Sequence, residues 1–285
     1  MIIETLPKHK VAIFSEIKSD NNQQDTYWIH KEVFNYLKNS LRLKPKDNLI
    51  IFDSFNYLNY CRYVFAEFVD FIYTKKDYFI KTNLLEIKDF KLNNVIINLY
   101  IVPPKNRYFN DLLANVVQLP LDTIYFFPSE YMVVNISDLY KKIERINDIL
   151  FWNTIYVSKY YPIKIKVIST FREFLEDLKF YNWVIVFHPY TNLSVSGFFK
   201  LNEIYSIFSD PIKKQRLIQD IKEEKFRVCI IIGPEGGFSN NEINTFRNYN
   251  AYVLRFDYIE NIVKTELSAN IGISQFLSLF NYLIN

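Results

Sequence analysis

Apolar residues along this chain fall into short, closely spaced runs at first and into alternating strand-like and helix-like segments later. Leu49-Ile-Ile-Phe52, Tyr60 to Phe65 and Phe68 to Tyr73 are rich in β-branched and aromatic residues, which predicts strands. Pro45-Lys46-Asp47-Asn48 and Asp53-Ser54-Phe55-Asn56 carry the residue types that turns use. Helical spacing is confined to Ile29 to Leu41, at Val33, Phe34, Leu37 and Leu41. Short strands this close together predict a small β-barrel over residues 1–75.

From Val95 the pattern changes. Val95 to Val102 predicts a strand that stops at Pro103-Pro104, followed by a helix over Asn110 to Leu119 and a strand at Thr123 to Phe127. Asp138 to Leu150 has an apolar stripe at Leu139, Ile143, Ile146 and Leu150. Ile163 to Ile168 predicts a further strand and Phe171 to Leu178 a further helix. Trp183 to Phe187 and Arg227 to Ile232 are near-continuous apolar runs, as expected of strands covered on both faces by crossover helices. Residues 76–285 therefore predict an α/β domain with a mostly parallel sheet.

The chain holds only 5 glycines, and Gly233, Gly236 and Gly237 fall within one pentapeptide directly after a predicted buried strand. Glycine kept there points to a tight turn or to a ligand approaching the backbone. Ser239 and Glu242 form a Ser-x-x-Glu capping box for a helix that buries Ile243 and Phe246. Strand, glycine loop and capped helix together place a ligand at a helix N-terminus and at the carboxyl end of a strand. The loop lacks the Gly-Lys-Ser/Thr of a phosphate cradle, and Glu235 would repel phosphates. A neutral or cationic ligand, such as the sulfonium of S-adenosylmethionine, suits it better; a tight turn with no ligand is the plainer alternative. Downstream, Asn261-Ile-Val-Lys-Thr-Glu266 leads into a long apolar helix, with Thr265 placed as its N-cap. Lys264 and Glu266 read either as site residues or as a solvated pair at a helix start.

Composition narrows this picture only modestly. Among 285 residues, 49% are hydrophobic and 18% aromatic, enough for two cores, and the formal net charge is +3. That balance allows nucleic-acid binding without implying it. Cys61 and Cys229 lie in apolar runs and read as buried free thiols. With three histidines, His9, His30 and His188, and no Cys/His cluster, no metal site is expected. The sequence shows no signal-peptide pattern and no apolar run of membrane-spanning length, so a soluble cytoplasmic protein is expected.

The stretch Ile231-Ile-Gly-Pro-Glu-Gly-Gly-Phe-Ser239, followed by Glu242 and Ile262-Val-Lys-Thr-Glu266, resembles the RsmE family of small-subunit ribosomal RNA uridine-N3 methyltransferases. The family's Gly-Pro-Glu-Gly-Gly-Phe-Ser loop is matched completely. Its Leu-Gly-x-x-Ile-Leu-Arg-Thr-Glu-Thr-Ala stretch is matched loosely by Tyr258 to Ser268, with Ile259 for Gly, Lys264 for Arg and Leu267 for Thr. Near the start, Ser40 to Asp47 and Ile50 to Asp53 resemble the Val-Leu-Arg-Leu-x-x-Gly-Asp and Phe-Asp-Gly pattern of the family's PUA-like barrel; Arg42 and Asp47 match, the glycines do not. The middle departs most. The family's Lys-Ala-Thr-Glu-Leu-Gly, Ser/Thr-Glu-Arg-Ser and Glu-Gln-Ser-x-Arg segments read here as Asn115 to Pro120, Ser129 to Met132 and Thr154 to Ser158, with only Gln118, Leu119, Ser129 and Glu130 as echoes.

The resemblance implies a PUA-like, RNA-binding barrel followed by a trefoil-knotted SPOUT domain, a rare exception to unknotted chain paths. It implies S-adenosylmethionine as cofactor, held by backbone from three loops: Phe187 and His188; Ile232, Gly233, Pro234, Glu235, Gly236 and Gly237; and Tyr258, Ile259, Ile262 and Val263. Lys264 and Glu266 are the expected catalytic groups, and Arg42, Lys44, Lys46, Lys105 and Arg107 the expected phosphate contacts. Ribosomal RNA of the small subunit is the implied partner, with pairing into a homodimer through knot-side helices. Loss of the middle polar residues leaves open a cofactor-binding but inactive RNA-binding protein, or a different RNA target.

Overall fold

The computed structural model describes residues 8–17, 25–53, 61–90, 95–156, 163–223, 225–259 and 261–284. The chain divides into two compact units, Ile2–Leu92 with Thr154–Pro162, and Asn93–Asn153 with Ile163–Asn285.

In the first unit β1 (Val11–Ser15), β2 (Thr26–Ile29), α1 (Lys31–Asn35), β3 (Asn48–Asp53), β4 (Cys61–Tyr73) and β5 (Tyr78–Phe90) follow in order. They form one five-stranded sheet, β1-β3-β4-β5-β2. Register shifts at Phe65/Ala66 and Phe68/Asp70 bend the long β4–β5 ribbon, as bulges do. The two edges are joined by a side chain and not by a ladder: Ser15 Oγ donates to Trp28 O at 2.8 Å. The expected barrel is thus a curled half-barrel. Two expected short strands, at 60–65 and 68–73, are one strand over the described residues, Cys61–Tyr73, because the bulges absorb the irregularity between them; Tyr60 lies outside the described residues. The helical segment begins as α1 and continues as a π-turn at Tyr36–Ser40, burying Val33, Phe34 and Leu37.

The boundary expected at residues 75/76 needs correction. Thr74 N bonds Asp77 O, closing a hairpin that brings β5 against β4 along its whole length. The first unit therefore runs on to Leu92.

The second unit contains β6 (Ile96–Ile101), α2 (Asn106–Val116), β7 (Thr123–Phe126), α3 (Ile136–Tyr140), α4 (Ile143–Tyr156), β8 (Lys164–Val167), α5 (Phe171–Asp177), β9 (Trp183–Phe187), α6 (Val195–Phe199), α7 (Asn202–Ser209), α8 (Pro211–Lys222), β10 (Arg227–Ile232), α9 (Asn240–Asn248), β11 (Tyr252–Leu254) and α10 (Thr265–Ile284). Its six strands are all parallel, in the order β11-β9-β10-β6-β7-β8. Alternate residues feed two cores. Leu99, Ile101, Ile185 and Ile230 pack with Leu112, Phe198, Ile273 and Phe276 on one face; Tyr100, Val186 and Ile231 pack with Phe174, Ile243 and Phe246 on the other. Covering both faces is what makes these strands continuously apolar. A polar chain crosses the second face. Asn98 Nδ2 donates to Tyr181 OH at 2.7 Å and Tyr100 OH to Asp177 Oδ2 at 3.2 Å, while burial pushes the Asp177 carboxyl up.

Several helix limits differ from expectation. The helix expected at 110–119 starts a turn earlier, and the one expected at 138–150 is broken at Lys141-Lys142 into α3 and α4. The capping box at Ser239 and Glu242 is present with both bonds.

After β11, at one edge of the sheet, the chain turns back across the carboxyl ends of β9 and β10 into α10. Thr265 Oγ1 reaches Gly233 O at 3.3 Å. Gly272 lies under Phe187 so closely that a Cβ there would meet the ring at 2.5 Å. This return is the crossing expected of a trefoil-knotted domain. Among the described residues no helix is long and apolar enough to cross a membrane.

Candidate cofactor and substrate site

The parallel register sets Ile101, Phe187, Ile232 and Leu254 side by side at the carboxyl ends of four strands. Beyond them lies a cavity of about 530 Å³, walled by the loops after β9, β10 and β11 and by one side of α9.

The loop after β10 is shaped by its own backbone. Gly237 N donates to Pro234 O at 2.9 Å, and Gly237 has φ +76°, a conformation that side chains disfavour. A Cβ on Gly233 would meet the Phe238 ring at 3.0 Å, whereas one on Gly236 would find only Tyr131 at an ordinary 3.6 Å. Glu242 then fixes the loop's far end. Its buried carboxylate accepts from Ser239 N at 2.8 Å through one oxygen and from Glu130 N at 3.0 Å through the other.

The loop after β11 is shaped from outside. Asp257 accepts from Ser196 N at 2.9 Å and Ser196 Oγ at 2.7 Å. Gln275 on α10 bonds Asp257's backbone on both sides, at 3.0 and 3.1 Å. Ser268 Oγ donates to Lys264 O at 2.9 Å. Thr265, expected as the N-cap of α10, is its first helical residue, and its hydroxyl bonds across to the β10 loop instead.

Of the expected cofactor residues, Phe187, His188, Ile232, Gly233, Pro234, Glu235, Gly236, Gly237, Ile259, Ile262 and Val263 line the cavity. Tyr258 does not. It is fully exposed, with φ +59°, because the turn out of β11 throws its side chain into solvent. Tyr190, Asn240, Asn244, Arg247 and Arg255 also line the cavity and escaped the sequence reading. Asn240, Asn244 and Arg247 recur at i, i+4 and i+7 on α9, so the polar stripe alongside Ile243 was the available signal.

Charges are distributed unevenly around this cavity. Burial, then the nearby Arg247 guanidinium, hold His188 below its usual range, so its ring stays neutral near pH 7. Glu235 Oε1 accepts from Lys105 N at 3.1 Å, tying the start of α2 to the glycine loop; its Oε2 is buried with no partner among the described residues. A buried carboxylate oxygen left unpaired is costly, and a cationic or N–H-bearing ligand in the cavity would satisfy it. Arg247 and Arg255 supply the opposite charge elsewhere on the wall.

Lys264 and Glu266 are not in the cavity wall, although Val263 and Thr265 are. Glu266 is buried, with Oε2 unpaired among the described residues. Lys264 is exposed, its ammonium 5.3 Å from the Tyr108 ring centre. The Arg107 guanidinium lies 4.5 Å from the same ring. Arg107 and Lys264 thus share one aromatic side chain at the start of α2, while Lys105 is placed there through its backbone N–H to Glu235.

In the first unit Arg42, Lys44 and Lys46 are exposed on one loop. Lys46 stands where the resembled pattern has glycine, and it takes glycine's conformation, φ +77°. Asp47 holds the loop there by accepting from Lys10 Nζ and Lys44 N, each at 2.6 Å. The hydrogen bond from Lys10 keeps Asp47 below the usual carboxylate range. Of the middle segments, Val157, Ser158 and Pro162 lie outside the described residues.

A family model described as an RNA methyltransferase domain matches residues 91–271. The chain is 23% identical over 288 residues to Ribosomal RNA small subunit methyltransferase E of Buchnera aphidicola subsp. Acyrthosiphon pisum (strain APS), covering 98% of each. Among solved structures, Ribosomal RNA small subunit methyltransferase E from Neisseria gonorrhoeae, bound to S-adenosyl methionine, superposes with TM-score 0.67 at 14% identity, over 95% of this chain and 98% of that one. A Legionella pneumophila protein solved with bound cofactor SAM superposes with TM-score 0.67 at 17% identity, over 94% and 97%. Both show the shared two-part fold. The complete glycine loop, this fold and the match over 91–271 lead to one assignment: the chain belongs to the RNA methyltransferase family.

Proposed function

We propose that this protein methylates N3 of a uridine in small-subunit ribosomal RNA, with S-adenosylmethionine as methyl donor. The observation that carries the reading is the juxtaposition of the glycine-loop cavity with Arg107 and Lys264, two cations on the Tyr108 ring, at a helix start that Lys105 N ties to Glu235 of that loop. The cavity fits the cofactor by its donor set. Backbone of Gly233 to Gly237 gives close approach, and Glu235 offers an unpaired carboxylate oxygen to positive charge. Arg247 and Arg255 offer cations to a carboxylate. When bound there, the cofactor supplies an electrophilic methyl group on its sulfonium.

The chain's own residues have a different task. Uracil N3 carries a proton with a pKa above neutrality, and it reacts as the anion. That proton passes to solvent water, and the Lys264 ammonium, beside the cavity, stabilises the negative charge left on the base. Glu266, one residue beyond Thr265 and buried, positions the start of α10, and its Oε2 has no partner among the described residues. Lys105 and Arg107, with Arg42, Lys44 and Lys46 of the first unit, contact phosphates. The protein works in the cytoplasm as a homodimer.

The test is a methylation map of small-subunit rRNA from cells with and without the gene, read by primer extension and mass mapping. One 3-methyluridine should vanish with the gene and return when purified protein and S-adenosylmethionine are added. An unchanged map from a protein that still binds the cofactor would assign it to RNA binding instead.

A further inference from the structure

We infer that Tyr108 is a positioning residue for Lys264, its ring serving as the seat that holds the lysine ammonium at the rim of the cofactor cavity. The inference rests on the reading of Lys264 given above. Where the resembled pattern has arginine, a planar fork that several directional hydrogen bonds can fix, this chain has lysine, a point charge on a flexible stem. Something else must restrict it. Lys264 makes no ion pair with any described residue, and its Nζ lies 5.3 Å from the Tyr108 ring centre, within cation–π range.

The seat is itself held. Tyr108 is half-buried in the first turn of α2, behind buried Pro103 and Pro104. The helix start is fixed to the glycine loop by the Lys105 N to Glu235 Oε1 bond. Lys264 lies between two cavity residues, Val263 and Thr265, and the latter bonds Gly233 O. Both ends of the cation–π contact are therefore referenced to the same loop. Arg107 at 4.5 Å from the ring adds a second cation, so the group presents a doubly positive aromatic surface to an anionic base or phosphate.

Two measurements on the full-length protein test this. The first does not depend on activity. In protein carrying lysine labelled with 13C at Cε, the resonance lost in Lys264→Met should show an upfield ring-current displacement. Tyr108→Phe should keep that displacement and Tyr108→Leu should abolish it. A Lys264 signal unchanged by Tyr108→Leu would overturn the inference. The second follows methyl transfer to small-subunit rRNA. Tyr108→Leu should lower kcat about tenfold, as loss of a partly desolvated cation–π contact would, with KM for S-adenosylmethionine unchanged. Tyr108→Phe should keep kcat, and Lys264→Arg placed in the Tyr108→Leu protein should restore part of it. Equal loss of kcat in Phe and Leu variants would point to the hydroxyl and overturn the role of the ring. If the wild-type protein transfers no methyl group, the reading of function fails, and the labelled-lysine spectrum alone decides whether the seat exists.

Discussion

The loops after β10 and β11 face each other across one cavity, yet they are held by opposite means. The β10 loop carries its shape internally, in the Pro234–Gly237 turn and the positive φ of Gly237. The β11 loop takes its shape from distant side chains, Asp257 gripping Ser196 and Gln275 gripping Asp257. A loop shaped by its own backbone needs glycine at set places, so it keeps a recognisable sequence. A loop shaped from outside can exchange residues, as Ile259 for glycine shows, provided the anchors persist.

Breaking an anchor should therefore do the greatest damage. Asp257→Ala removes two charge-assisted bonds at once, one to a backbone N–H and one to a hydroxyl. Stability should fall by about 3 kcal/mol, measured by urea unfolding. Because the same loop supplies Ile259, Ile262 and Val263 to the cavity, cofactor affinity should fall with it. Asp257→Asn, which keeps an acceptor, should lose about half as much. A stability loss no greater than that of an ordinary surface substitution would remove the contrast between the loops.

Next in size is a change that spares the fold and fills the cavity. Gly236 is exposed, has no positive φ, and a Cβ there meets only Tyr131 at 3.6 Å. Gly236→Val should leave stability within about 0.5 kcal/mol while raising the S-adenosylmethionine Kd about thirtyfold, the equivalent of roughly 2 kcal/mol of overpacking. Calorimetric titration beside a melting curve separates the two. Gly237→Val, strained at φ +76°, should instead lose stability as well, by about 1–2 kcal/mol. An unaltered Kd in Gly236→Val would mean that the cofactor lies elsewhere.

The same contrast explains what could be read from the sequence. The glycine loop, the capping box and the buried strands were legible because each is specified by neighbours in the chain. The Asp257–Ser196 contact spans 61 residues and leaves no local pattern. The helices α6, α7 and α8, between β9 and β10, mix apolar and polar residues. The division at 75/76 failed because Thr74 to Asp77 reads equally well as a linker and as the hairpin turn it is. Tyr108 was invisible for a further reason. Its significance lies in a neighbour 156 positions away, reached only when α2 and the start of α10 are brought to the same loop.

The smallest predicted effect is the sharpest test of how the β11 loop is built. Sequence comparison places the missing glycine at Ile259, but the left-handed conformation falls one residue earlier, at Tyr258, φ +59°. Tyr258 is fully exposed, so replacing it forfeits no packing, and Ile259 is half-buried against the cavity. The two glycine substitutions should therefore have opposite signs. Tyr258→Gly relieves a conformation costing an L-residue about 1–2 kcal/mol, offset in part by unfolded-chain entropy, for a net gain of about 0.5–1 kcal/mol. Ile259→Gly, although it restores the resembled pattern, gives up buried apolar surface and should lose about 1 kcal/mol or more. Paired urea unfolding curves decide the order. If Ile259→Gly is the more stable protein, the backbone strain sits where the pattern places glycine, and the external anchors have not moved it.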